Sequence, residues 1–253
     1  MRVALFVTCV TDALHPGTGR ATVTLLERLG VAVDFPLAQS CCGQPQFNTG
    51  YRRQAEPLVR RHARAFRGYE YVVTPSGSCA AMVRENHARV AGGAGDAALE
   101  RAAAEVAART YELSEFLVDV LGVTDVGAYY PHTVTYHPTC HGLRALGLGD
   151  RPRRLLAEVR GLELVELPGA EECCGFGGTF AVKNAAVSAA MGADKARAVE
   201  DTGAAAVCAV DDSCLTHLGG ILARRGSAAR PVHLAEILAA TEDTGGNGAD
   251  GGA

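Results

Sequence analysis

No apolar run in the 253-residue chain is long enough to cross a bilayer. The longest, residues 3–7 and 204–210, fall far short of the roughly 20 residues a spanning helix needs, which excludes a membrane span. Met1-Arg2 leads straight into a strand-like segment, without the extended apolar stretch and small-residue cleavage site of a signal peptide, so the cytoplasm is the expected location. Charge of one sign is also missing. Lysine and arginine total 24 against 28 acidic residues, a net charge of −4, and no basic face is evident. This leaves no electrostatic case for nucleic acid or an anionic membrane surface. Gly17 and Gly19 precede a helical segment, but the rest of the dinucleotide fingerprint is absent, so no flavin or nicotinamide site is expected. Finally, there is no Cys-x-x-Cys knuckle of the kind on which zinc modules are usually built.

The chain does have nine cysteines, in a composition (48% hydrophobic, 21% charged) typical of globular proteins. In a reducing compartment they are not expected to form a disulfide framework, and clustered thiols there more often hold metal. Their positions repeat. Cys9 and Cys41 are 32 positions apart, and Cys140 and Cys173 are 33 apart; Cys42 and Cys79 are 37 apart, and Cys174 and Cys214 are 40 apart. Thr8-Cys9 matches Thr139-Cys140, Cys41-Cys42-Gly43 matches Cys173-Cys174-Gly175, and Ser78-Cys79 matches Ser213-Cys214. Such a period indicates duplication of a unit of domain size, with a first unit over residues 1–125 and a second over 126–240. The glycine- and aspartate-rich tail, 241–253, is expected to be disordered.

The patterning predicts two tandem, duplicated parallel-sheet α/β units. Short β-branched or aromatic runs at 3–8, 31–35 and 69–74 read as strands, with helices over 20–29 and 52–66. The second half repeats this with strands at 133–136, 162–167 and 204–210 and helices over 181–200 and 215–225. Residues 231–240 read as a short strand entering a terminal helix, and 97–121 as one or two helices bridging the halves. Alternation of this kind favours parallel sheets with right-handed crossovers. The cysteines then fall at the carboxyl ends of the strands, where ligands gather in open α/β sheets. Following helix N-termini favour thiolate, and Gly43, Gly175, Gly177 and Gly178 allow close backbone approach to a bulky ligand.

Cys9, Cys41, Cys42 and Cys79 thus form one candidate metal site, and Cys140, Cys173, Cys174 and Cys214 a second. An iron–sulfur cluster offers separate metals to adjacent thiolates, which a single tetrahedral ion accommodates poorly. A zinc site and a vicinal thiol–disulfide pair are the alternatives. Cys208, inside an apolar strand, reads as a small buried hydrophobe. His137 and His141 flank Cys140 and read equally as packing groups or as residues that tune a cluster or carry protons. Pro45 shapes the loop after the first motif, and Arg52, Arg53, Arg60 and Arg61 lie on solvated helix faces.

Residues 41–50, Cys-Cys-Gly-Gln-Pro-Gln-Phe-Asn-Thr-Gly, and 173–183, Cys-Cys-Gly-Phe-Gly-Gly-Thr-Phe-Ala-Val-Lys, resemble the two signatures of the cysteine-rich CCG domain family. Residues 6–9, 76–79, 136–140 and 211–214 extend the likeness, which runs to about residue 238 and is nearest to the lactate utilization protein A family. The cysteine-rich subunit of heterodisulfide reductase and the iron–sulfur subunit of glycolate oxidase are relatives of it. The resemblance implies an iron–sulfur redox subunit acting in oxidation of L-lactate to pyruvate, with two clusters on the two four-cysteine sets. It also implies two partners, a larger ferredoxin-like iron–sulfur protein and a smaller companion, and draws attention to Lys183 as a positive charge near an anionic cluster or carboxylate. The chain departs from the fuller family pattern, in which each unit ends in Cys-x-x-Cys and supplies five thiols. Here Ser76 and Asp211 replace the first cysteine of those pairs. Four thiolates suit an ordinary 4Fe–4S cluster or one with an oxygen ligand; five suit a noncubane cluster.

Overall fold

The computed structural model describes residues 1–244. Strand β1 (Arg2–Leu5) lies between β2 (Ala32–Asp34) and β3 (Val72–Thr74), and β4 (Thr110–Glu112) completes a sheet of order β2-β1-β3-β4. Strands β5 (Thr133–His137), β6 (Glu163–Val165), β7 (Ala206–Ala209) and β8 (Arg230–His233) repeat the order as β6-β5-β7-β8. Every strand pairing is parallel, so helices must carry the chain back between strands. The duplicated α/β architecture expected from the cysteine repeat is the one observed.

Strand order decides where a ligand can gather. Connections leave β1 toward β2 and then cross to β3, so the crevice between the carboxyl ends of β1 and β3 is a topological switch point. Its equivalent in the second sheet lies between β5 and β7. Cys9 and Cys79 follow β1 and β3; Cys140 and Cys214 follow β5 and β7.

Three details differ from the sequence expectation. The bridging segment is not purely helical: helix Ala97–Ala107 is followed by β4 and then by helical turns Leu113–Glu115 and Phe116–Val120. A three-residue strand is too short to display alternation, and β4 forms because Thr110 and Glu112 turn inward while its backbone pairs with β3. The helix expected over 181–200 is two, Phe180–Lys183 and Ala185–Asp201, broken at Asn184. The helix expected over 20–29 begins earlier, at Pro16, whose ring suits the first helical turn. Of the tail 241–253, Glu242–Thr244 forms a short 3-10 turn, and Glu242 pairs with Arg160 at 2.7 Å. Residues 245–253, for which disorder is expected, lie outside the described residues.

One apolar core joins the two units. It includes Val3, Leu25, Leu26 and Phe116 from the first and Tyr136, Cys208, Leu234 and Ile237 from the second. The terminal helix Leu234–Ala239 returns to the first unit, where the Arg28 guanidinium caps the carbonyls of Leu238 and Ala239. Cys208 lies at the centre of the second sheet, fully buried between Tyr136 and Val232. Burial pushes its thiol up, which keeps it protonated and inert.

Candidate metal centre

Each four-cysteine set is assembled by three chain segments. In the first unit, Thr8 caps helix Cys9–Leu14 by accepting from the Thr11 amide, which places Cys9 in the first helical turn beyond β1. Ser76 caps helix Gly77–Ala81 in the same way, accepting from the Cys79 amide at 3.2 Å. Cys41 and Cys42 arrive on the connection after β2. That connection turns at Gly43, whose left-handed φ of 87° lets helix Gln44–Asn48 start immediately. Cys42 Sγ lies 3.2 Å from Cys79 Sγ, and Cys9 hydrogen-bonds Cys41.

The second unit repeats the scheme with tighter packing. Cys140 Sγ is 4.0 Å from Cys173 Sγ, and Cys174 hydrogen-bonds both Cys173 and Cys214. Gly175 has φ 89°, and a Cβ there would lie 2.6 Å from the Ser188 carbonyl oxygen and 2.9 Å from Met191 Cβ. Only glycine fits between the vicinal cysteines and helix Ala185–Asp201. All nine cysteines are free thiols.

The electrostatics are alike in the two sets. Hydrogen bonds from Cys42 and Cys9 hold the Cys41 thiol far below the ordinary range, helped by the Gly43 amide at 3.4 Å. Hydrogen bonds from Cys140 and Cys174, with the Gly175 amide at 3.3 Å, do the same for Cys173. The partners move the other way: hydrogen bonding to the ionised neighbour pushes up Cys9 and Cys42, and likewise Cys140 and Cys174. Each set therefore carries at least one thiolate, the form that binds metal, stabilised by backbone and thiol donors. A soft sulfur donor set with amides aimed at sulfur fits a thiolate-bound metal or cluster in both units.

The first set opens into a cavity of about 250 Å³, lined also by Asn48, Phe176, Thr179 and Val182. Its far wall therefore comes from the loop after the second Cys-Cys-Gly. Lys183 Nζ lies 5.4 Å from the centroid of the Tyr51 ring, bridging the units. His141 sits between units as well. Its Nε2 is 3.1 Å from Gln44 Nε2 and its Nδ1 is 3.7 Å from Cys140 Sγ. With the amide donating to Nε2, the ring proton is on Nδ1 and faces the Cys140 sulfur. His137 is 1% exposed, and its donor nitrogen, Cys174 Sγ and Cys214 Sγ all lie within 4.8 Å of one another. Burial lowers its pKa to about 4, so the ring is neutral.

Several contributors were not singled out from the sequence. Buried Lys195 donates to the Gly169 carbonyl and lies close enough to Cys173 and Cys174 to feel their charge. In the first unit, His87 Nε2 lies 2.8 Å from the Cys42 carbonyl oxygen, and the ring stacks edge-on against buried His62. The carbonyl can only accept, so His87 Nε2 carries the proton. No local motif marks these residues: His87 follows Cys79 by eight positions, and Lys195 lies on helix Ala185–Asp201.

Comparison with known proteins agrees with the duplicated geometry. The cysteine-rich domain family CCG matches the chain twice, over residues 3–84 and 134–219. Lactate utilization protein A of Geobacillus kaustophilus is 50% identical over 242 residues, covering 94% of this chain and 98% of that protein. The chain belongs to the lactate utilization protein A family of CCG-domain proteins. Other members, from Oceanobacillus iheyensis and Bacillus subtilis, are each 46% identical over 238 residues. They span 94% of this chain and 96% and 99% of their own lengths. Among the described residues, no helix is long and apolar enough to cross a membrane.

Proposed function

We propose that this protein is an iron–sulfur redox subunit that passes electrons during oxidation of L-lactate to pyruvate. The observation that carries the reading is the convergence of four thiols at each of two equivalent switch points. When bound, clusters there would supply one-electron transfer. Cys9, Cys41, Cys42 and Cys79 would hold one, and Cys140, Cys173, Cys174 and Cys214 the other, both of the 4Fe–4S kind. Gly43 and Gly175 amides stabilise the anionic sulfur, and the His141 Nδ1–H faces the sulfur of Cys140. The name shared by the relatives supports lactate as the substrate of the system. Free thiols suit the reducing cytoplasm. A ferredoxin-like iron–sulfur protein and a smaller companion complete the assembly in this proposal.

Anaerobic purification followed by iron, zinc and sulfide quantification and electron paramagnetic resonance tests it. Several irons with matching acid-labile sulfide are expected. A colourless protein that retains no iron yet supports growth on lactate overturns it. A second reading, a mononuclear soft metal such as zinc, is favoured at one point among the described residues. His137, Cys174 and Cys214 have the close spacing a single tetrahedral ion requires. Stoichiometric zinc without sulfide would select it.

A further inference from the structure

We propose that His137 is a metal donor of the second cysteine site, so that this site is held by imidazole as well as thiolate while the first is held by thiolate alone. The proposal rests on the reading that the two sets bind metal, but not on which metal. The two units are close copies, and this is one of the positions at which they differ. Phe6 and His137 each lie three residues before the first cysteine of their set, at the carboxyl end of equivalent strands. Phe6 has no donor atom, and its ring packs edge-on against His62 and Phe66, with centroids 4.7 and 5.5 Å apart. His137 offers a nitrogen at the same place, in mutual reach of Cys174 and Cys214.

The ring's hydrogen bonding points the same way. His137 Nδ1 is buried without a hydrogen-bond partner, while the ring also bonds the Ala170 backbone. A buried polar atom left without a partner is costly. A hydrogen bond from the ring to a backbone group is the arrangement that orients a metal-bound imidazole. The alternative extra donor is occupied: the Asp211 carboxylate accepts from Ser76 Oγ, Ser78 Oγ and the Ser78 amide at 2.7, 2.8 and 2.9 Å. An oxygen ligand from Asp211 would require those bonds to break, whereas His137 needs no rearrangement of partners.

The test is a nitrogen coupling read on the whole protein. Wild type labelled with ¹⁵N-histidine is reconstituted anaerobically with iron and sulfide and examined by pulsed electron paramagnetic resonance. A directly coupled histidine nitrogen is expected at one site, lost in His137→Phe and kept in His141→Gln, which removes the competing imidazole near Cys140. Absence of coupling in wild type overturns the proposal, as does coupling that survives in His137→Phe or vanishes in His141→Gln. If the protein takes up no iron and sulfide, the cluster reading fails separately. Cobalt(II) added to the metal-free protein then answers the donor question with the same label and variants, by the same three criteria.

Discussion

Ser76 and Asp211, the two residues that stand where the fuller family pattern has cysteine, are hydrogen-bonded to each other, Ser76 Oγ donating to Asp211 Oδ1 at 2.7 Å. They are 135 positions apart and belong to different units. Each also begins the helix that carries the last cysteine of its set. Neighbouring bonds extend the contact: the Gly77 amide reaches the Val210 carbonyl at 3.2 Å, and Thr11 and Thr18 donate to Asp212 at 2.6 and 3.0 Å. The positions that do not supply thiols here join the two units instead.

Asp211→Ala should accordingly weaken the whole molecule. Three donors of the first unit lose their acceptor in a site where Asp211 is only 2% exposed. A loss of about 1–3 kcal/mol is expected in chemical denaturation, from donors left unsatisfied. Asp211→Asn keeps one acceptor oxygen and should cost less than Asp211→Ala. Equal midpoints for all three proteins would contradict the account.

Cys42→Ser and Cys174→Ser should each lower bound iron by roughly half, because each removes one ligand from a separate set. Cys208→Ala should leave bound iron unchanged, since the side chain is enclosed in the second sheet away from both sets. Iron and sulfide analysis of the three variants checks this. Loss of all iron from one serine substitution would mean a single shared site.

Gly175→Ala and Gly43→Ala should differ. Both positions have left-handed φ, 89° and 87°, which costs a non-glycine residue about 1–2 kcal/mol. At Gly43 the nearest atom to a Cβ is 3.6 Å away, so strain is the whole cost. At Gly175 the 2.6 Å approach to the Ser188 carbonyl adds a backbone clash. Thermal denaturation should therefore show a clearly larger loss for Gly175→Ala, accompanied by loss of metal from the second set.

Glu112 gives the stability a pH dependence. It is fully buried, its Oε2 accepts from the Ser114 amide at 2.7 Å and from the Ser114 hydroxyl, and its Oε1 has no partner. Burial pushes its pKa up from 4.5 to about 8. The folded state thus holds the proton more tightly than the unfolded chain. The Glu112 contribution is fully present below pH 4.5, falls as pH rises from there to about 8, and is constant above that. Glu112→Gln cannot ionise, so its stability relative to wild type should rise between pH 5 and 8, by on the order of 3–4 kcal/mol. Parallel pH profiles of the two proteins would remove Glu112 as the source.

The primary sequence was enough to establish the duplication, the parallel α/β class and the division of eight cysteines into two sets. Cysteine spacing, flanking glycine and β-branched runs are local signals, and local signals survive in a one-dimensional reading. Cys208 was legible for the same reason, as one apolar residue among others in a strand. Strand β4 was not, because three residues carry no period and its pairing partner β3 lies some 40 positions earlier. Only the tertiary structure decided what Ser76 and Asp211 do, since a hydrogen bond across 135 positions leaves no trace in either neighbourhood. The same holds for His137. Its position at a strand end is consistent with packing or chemistry, and the choice depends on the groups that approach it from Cys174, Cys214 and Ala170. Lys195 and His87 lie on helices whose inward faces are set by packing, so their burial beside the cysteines follows from the tertiary structure. Sequence determines which donors are available in each unit. Packing decides which of them face the sulfur and which are spent holding the two units together.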